Sequence, residues 1–245
     1  MNIIIRYTVL IILMGLTSSC EKLFFNDLSK TTRLVFDDLD FNTVHINDSF
    51  NLHLVQDSVY KIIMEVSEEL AENMEYLSDG DTAKLYDHNS KKWLPSYTTP
   101  IVYIHFPVLD HLRIRAPGHI STIGTIQQKS FSLLVTQHTG QINLNLEVEN
   151  LRIITGITRN YGQYIISGTA TEAYLWMRSA CSLDAYDLNA ENTRIINNTI
   201  NYTRVRANSI LRTKITASGN VYYQGTPHEI IIEEQSSSGR LINDN

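Results

Sequence analysis

Cysteine is almost missing from this chain of 245 residues: there are two, Cys20 and Cys181, too few for a disulfide framework. Proline is scarce as well, 5 against 11 glycines, whereas Ile, Thr, Tyr and Asn are frequent, a balance that favours strands and turns over helices. Basic charge is in deficit. The 20 Lys and Arg face 26 Asp and Glu, a formal net charge of -6, so the chain as a whole repels phosphate backbones. The one basic doublet beside an aromatic, Lys91-Lys92-Trp93, reads as a solvated loop, and nucleic acid is not an expected partner. No Gly-x-Ser-x-Gly elbow occurs, and His105, His111 and His119 lack the short paired spacing of a zinc site. No catalytic nucleophile, metal or cofactor is therefore expected. What is present, 43% hydrophobic residues, is ordinary for a globular protein with a core.

The N-terminus reads as an address. Arg6 supplies a positive charge, Tyr7 to Leu16 form an apolar run, and Leu16-Thr-Ser-Ser-Cys20 ends it, the layout of a signal peptide over residues 1–19. A membrane-spanning helix takes about twenty apolar residues, more than this run offers. The last residues resemble a bacterial lipobox, with Ser18, Ser19 and Cys20 in place and Leu16 one position further upstream than the commonest pattern. That resemblance implies lipidation at Cys20, a tether over 20–33, and a membrane partner held through acyl chains. Glu21 after the cysteine implies the outer membrane. Loss of Arg6 with the leader leaves 19 basic against 26 acidic residues, a net of -7. Cys181 then has no intrachain partner and reads as a small buried residue.

A single domain is expected over 34–245. Its first part, 34–110, carries short alternating runs such as Val44-His-Ile46, Phe50-Asn-Leu52-His-Leu54 and Tyr60 to Val66, with a later strand at Ile101 to Phe106. One helix is expected from Glu68 to about Leu77. Ser67 is placed to cap it, Glu68 and Glu69 suit its positive end, and Leu70, Met74 and Leu77 recur at i, i+4 and i+7. Asp87 to Thr99 reads as a polar loop.

From 111 to 245 a ladder of small residues takes over, each followed two positions later by a core-type residue: Gly118-His-Ile120, Gly140-Gln-Ile142, Gly162-Gln-Tyr164, Cys181-Ser-Leu183, Thr203-Arg-Val205, Gly219-Asn-Val221 and Gly239-Arg-Leu241. Their spacings, 22, 22, 19, 22, 16 and 20, mark a supersecondary unit repeated along the chain. A coil of about twenty residues divides into three short strands and three turns, and stacked coils bury their inward rows as one core. The fold expected is all-β, a parallel β-helix-like solenoid of about seven coils, with the small residues at corners where a bend calls for positive φ.

At the C-terminal end, Ala217-Ser-Gly-Asn-Val-Tyr-Tyr-Gln-Gly-Thr-Pro227 and the partial copy Ser236-Ser-Ser-Gly-Arg-Leu241 resemble the closing repeats of the autotransporter adhesin head GIN domain family of Bacteroidetes-type bacteria. Phe41-Asn-Thr-Val44 through Val55-Gln-Asp57, and Pro107-Val-Leu109 leading to Gly118, match that family's layout. The resemblance spans roughly 34–245 and implies a β-helical envelope protein with no established enzymatic activity. Cys181 and Thr203 depart from the family's glycine.

Alternation within each unit sends Tyr174, Trp176 and Arg178 outward while Ala173, Leu175 and Met177 point in, and Tyr186 and Tyr202 are expected near them on later coils. These five residues form the candidate ligand-binding set, suited to sugar rings or to a protein partner. Glu172, Asp184 and Asp187, with Arg178, Arg204 and Arg206, would be the candidates for a lyase-like site, yet their density is no higher than a wet face requires. The leading reading is a non-catalytic envelope protein for adhesion or surface assembly. The alternatives are a carbohydrate-binding module and self-association through an uncovered last coil.

Overall fold

The computed structural model describes residues 30–245 apart from 91, 94–96, 138–139 and 157. The leader, Cys20 and most of the tether lie outside the described residues. The strands are β1 (Thr31–Phe36), β2 (Thr43–Ile46), β3 (Asn51–Gln56), β4 (Lys61–Ser67), β5 (Met74–Asp79), β6 (Thr82–Asp87), β7 (Ile101–Phe106), β8 (His111–Ile114), β9 (Ile120–Ile123) and β10 (Ile126–Val135). They continue as β11 (Gln141–Thr155), β12 (Gln163–Ser179), β13 (Ser182–Ala185), β14 (Leu188–Thr199), β15 (Thr203–Arg206), β16 (Ile210–Ile215), β17 (Val221–Gln224), β18 (Glu229–Gln235) and β19 (Leu241–Asn243).

These strands stack into a β-solenoid of about six turns, where the ladder of small residues implied about seven. Each coil has a front face, a back face and a narrow side. The front face runs β5, β6, β2, β8, then the C-terminal parts of β10, β11 and β12, then β14, β16 and β18. The back face runs β1, β4, β7, β3, β9, then the N-terminal parts of β11 and β12, then β13, β15, β17 and β19. The N-terminal part of β10, the middle segments of β11 and β12 and the start of β14 make the narrow side. Pairing is parallel throughout except at the N-terminal end, where β1, β4 and β5 run antiparallel to their neighbours. The parallel stack already includes β2 and β3, so it runs across residue 110 without a break.

The period-two alternation explains the core. On the front face Val44, Leu112, Leu133, Ile153, Leu175 and Ile195 stand in one inward row, and on the back face Leu52, Ile120, Ile142, Tyr164 and Leu183 stand in another, all buried. At the C-terminal end the front rows reach Ile230 and Ile232, which point inward but are 42% and 53% exposed, since among the described residues β18 pairs with β16 alone.

Two expectations are corrected. The helix is a 3-10 segment of Glu68–Asn73, and Ser67 makes no side-chain cap; its hydroxyl is buried without a partner. Met74–Asp79 is instead drawn into an antiparallel hairpin with β6 across Gly80, whose φ of 62° suits glycine. Pairing of these six residues outweighs a weak helical stripe, and Leu77 becomes exposed. Thr203, expected at a corner, lies in the inward back row, because the register aligns it with Leu183 and Val221. Asn201 holds the position two residues before that row, as Cys181 and Gly219 do. The irregular spacings of 22 and 16 thus become 20 and 18.

Gly140 has the positive φ expected at a corner, 153°, but at two other corners the glycine has a different reason. Gly118 and Gly219 do not adopt positive φ; a Cβ on either would overlap a backbone carbonyl oxygen of the preceding coil, that of Phe50 or Asn201. Close approach of backbones sets the side-chain size. Thr203→Val is expected to stabilise the fold by about 1 kcal/mol, since the buried Thr203 hydroxyl has no partner, and Gly219→Ala to destabilise it by about 1–3 kcal/mol, both read from urea unfolding. A destabilised Thr203→Val variant would return Thr203 to a corner.

Candidate functional site

The five candidate residues fall into two groups on two faces. Tyr174, Trp176 and Arg178 are carried outward by the front part of β12, whereas Tyr186 and Tyr202 flank β13 and β15 on the back face. The sequence shows that all five point outward but not on which side of a corner each lies. A register across coils decides that, and it separates them.

On the front face Arg152, Tyr174, Arg194 and Arg212 stack in one outward column on successive coils. The guanidinium carbons of Arg152 and Arg194 lie 4.8 and 5.5 Å from the Tyr174 ring centroid, one from the coil before and one from the coil after. In the neighbouring column Leu134, Ile154, Trp176 and Ile196 form an aliphatic and aromatic strip. Arg178 folds over Trp176 at 4.2 Å and donates its Nε–H to the Thr155 carbonyl at 2.5 Å. Burial pulls the Arg178 guanidinium below its ordinary value. Both rings are half-buried and carry stacked guanidinium groups, so the rings serve as platforms for arginine. Arg194 is further fixed by two bonds to Glu233, of 3.1 and 2.8 Å, which hold the Glu233 carboxyl below the usual carboxylate range.

The back-face group centres on Arg204. Its guanidinium lies 4.7 Å from the Tyr202 ring and 5.6 Å from that of Tyr186, and it bonds Asp184 at 3.0 Å. Tyr186 donates its hydroxyl to Asp244 at 2.6 Å, and burial, then that carboxylate, raises its pKa well above the ordinary tyrosine value. This contact ties the end of the chain to β13. Arg206 donates to the Tyr186 carbonyl at 2.7 Å, a further brace.

The lyase candidates do not converge. Glu172 accepts from Asn192 at the margin of the front face, Asp184 is paired with Arg204 on the back face, and Asp187 is exposed at the bend into the narrow side. His105 pairs with Asp57 on the back face while His111 opens β8 on the front. Sequence reasoning places Arg204 only among the lyase candidates and not against Tyr186 and Tyr202, and it misses Arg152 and Arg194, which stack on the Tyr174 ring. Their spacing of roughly one coil from the aromatics was the available signal.

The corner residues sit along one edge of the solenoid. Gly118, Gly140, Gly162, Cys181, Gly219 and Gly239 each precede the inward back row by two residues, and Thr203 stands in that row. Cys181 is fully buried, 3.7 Å from the Thr155 hydroxyl and 3.2 Å from the Arg178 carbonyl, and burial pushes its thiol up.

Residues 40–227 match the family described as "Putative auto-transporter adhesin, head GIN domain". The chain belongs to this family. Among solved structures it is similar to a putative adhesin from Bacteroides fragilis, at 16% identity and a TM-score of 0.79, over 88% of this chain and 97% of that one. It is likewise similar to a putative adhesin from Parabacteroides merdae, at 14% identity and a TM-score of 0.65 over the same shares of the two chains, 88% and 97%. A putative lipid binding protein from Parabacteroides distasonis, at 15% identity and a TM-score of 0.65, also covers 88% of this chain and 97% of its own. At these identities the likeness speaks for the fold. No curated protein matches. Head GIN membership is consistent with an envelope or surface setting.

The buried thiol yields a direct test. Alkylation mapped by mass spectrometry is expected to leave Cys181 unmodified in the native protein at mildly alkaline pH and to modify it in concentrated urea. Modification of native Cys181 at the rate of a free thiol would contradict its placement.

Proposed function

We propose that this head GIN protein is a non-catalytic adhesion or surface-assembly module of the cell envelope, and that its front face is the working surface. The observation that supports this is the outward-facing column of Arg152, Tyr174, Arg194 and Arg212 on a parallel sheet, in which Arg152 and Arg194 stack on the Tyr174 ring. Such a surface holds polar anchors in place before a partner arrives, which lowers the ordering cost of binding. The candidate carboxylates offer the opposite picture, being dispersed, with Glu172 bonded to Asn192 and Asp184 paired with Arg204, which disfavours hydrolase or lyase chemistry.

The reading extends to the address. A signal peptide over 1–19 and lipidation of Cys20 would anchor the protein in the outer membrane. The chain enters the fold at β1, at the N-terminal end of the stack, so an anchor upstream of Thr31 would hold that end and leave the front face clear. The B. fragilis and P. merdae neighbours are described as adhesins and the P. distasonis neighbour as lipid-binding, and both descriptions fit an envelope location.

A second reading, self-association, rests on the open C-terminal coil. Among the described residues β18 pairs with β16 alone and β19 with β17 alone, and Ile230 and Ile232 end the core uncovered. Sedimentation is expected to show a dimer that Ile232→Lys returns to monomer; a wild-type monomer at every concentration would remove this reading.

For the main reading, beads coated with the full chain are expected to be retained on glycocalyx-bearing cells far better than albumin-coated beads. Equal retention would contradict it. So would polysaccharide turnover abolished by Glu172→Gln or Asp184→Asn.

A further inference from the structure

The acidic character of the chain hides a partition. Eight successive front-face segments, residues 82–85, 43–46, 111–114, 131–135, 151–155, 173–179, 193–199 and 210–215, contain no Asp or Glu, although the chain holds 26. They contain seven Lys or Arg, at positions 84, 113, 152, 178, 194, 212 and 214, together with His45 and His111. At about 4.8 Å per strand this carboxylate-free strip is roughly 34 Å long. Asp79 pairs Lys84 at one end, Glu233 and Glu234 pair Arg194 and Lys214 at the other, and Glu172, bonded to Asn192, stands on its margin. Between the two ends Arg113, Arg152 and Arg212 form no salt bridge among the described residues, although Arg212 lies within electrostatic reach of Glu233, and the Arg113 Nε is buried without a hydrogen bond.

We propose that this strip binds a linear acidic polysaccharide lying along the solenoid axis, with uronate carboxylates on the unpaired arginines; the proposal rests on the adhesion reading above. Three observations select this partner. Stacking of Arg152 on Tyr174 holds a guanidinium in place before binding, the condition for bidentate capture of a carboxylate. The strip is continuous and as long as several sugar units, so successive charges of one polymer meet successive coils. Beside the arginines, half-buried Leu134 and Ile154 offer a shallow apolar strip to sugar C–H groups.

The same geometry disfavours other polyanions. A membrane surface calls for protruding apolar side chains, yet Ile196 is 8% exposed and Trp176 lies under Arg178. Single-stranded nucleic acid calls for open aromatic faces on which bases stack, and those of Tyr174 and Trp176 already carry guanidinium groups. Two clefts flank the strip. One of about 450 Å³ is lined by Asn47, Arg115, Thr136, Gln137 and Thr158, and a smaller one of about 200 Å³ is lined by Glu172, Asn192, Thr193, Arg194, Ile210 and Arg212. Both give room for polar substituents of a chain running between them.

The test is calorimetric titration of the full chain with polygalacturonate, size-matched dextran, anionic phosphatidylglycerol vesicles and oligothymidylate. Polygalacturonate is expected to bind, with affinity falling as salt rises, and dextran not to bind. Affinity is expected to fall about tenfold or more in Arg152→Gln/Arg212→Gln, since two charge-assisted contacts are lost. Arg152→Lys/Arg212→Lys, which keeps the charge, is expected to fall less while its thermal unfolding is unchanged. Arg33→Gln/Lys61→Gln, the same change of net charge on the back face, is expected to bind as wild type. The proposal is overturned if polygalacturonate does not bind, if vesicles or oligothymidylate bind more tightly, or if the front-face and back-face variants behave alike. Retention of coated beads on cells that persists in any of those cases would leave the adhesion reading standing and remove this partner alone.

Discussion

The closeness with which one backbone passes another at a single edge of the solenoid governs the rest of the molecule. There the carbonyl oxygens of Phe50 and Asn201 occupy the space that a Cβ on Gly118 and Gly219 would need. That approach allows strands on either side of the corner to pair coil upon coil at a sheet's spacing of about 4.8 Å. Once pairing is fixed, period two sends alternate residues into a shared core or onto a flat outer surface. Each coil is too thin to bury its own apolar residues, so stability is shared between neighbours. The exposed Ile230 and Ile232 show what happens where the sharing stops.

The outer surface inherits its order from the same spacing. Because coils stack in register, Arg152, Tyr174, Arg194 and Arg212 come to one column although some twenty residues separate each from the next. Cation–π stacking then immobilises side chains that would otherwise sample many rotamers. A chain with a net charge of -6 thereby presents a long strip without a carboxylate. Net charge describes how the whole molecule repels or attracts at a distance, whereas a polymer lying on one face senses the local arrangement.

Much of the scaffold was legible in the sequence because its causes are local. Small-x-apolar steps such as Gly140-Gln-Ile142 carry both the corner and the inward row, and strands such as Ile101 to Phe106 declare themselves by alternation. Errors arose where a neighbouring coil decides. Asn201 occupies a corner that its side chain does not advertise, and the small-x-apolar pattern falls on Thr203 two residues on. Leu70, Met74 and Leu77 match a helix equally well in isolation, and pairing of Met74–Asp79 with β6 selects the strand. The candidate site was legible as a list of outward residues and not as an arrangement. Tyr186 and Tyr202 lie around a corner from Trp176, and the arginines covering the front-face rings come from other coils.

Register is thus the central claim, since core, corner and front face all follow from it. Pulsed electron spin resonance between nitroxides on His111→Cys and Arg212→Cys, both exposed on one outward column, measures it directly. Five strand spacings separate the two positions, and a backbone separation of about 24 Å is predicted. A distance one or more coils away from this value would contradict the register and the continuous front face that depends on it.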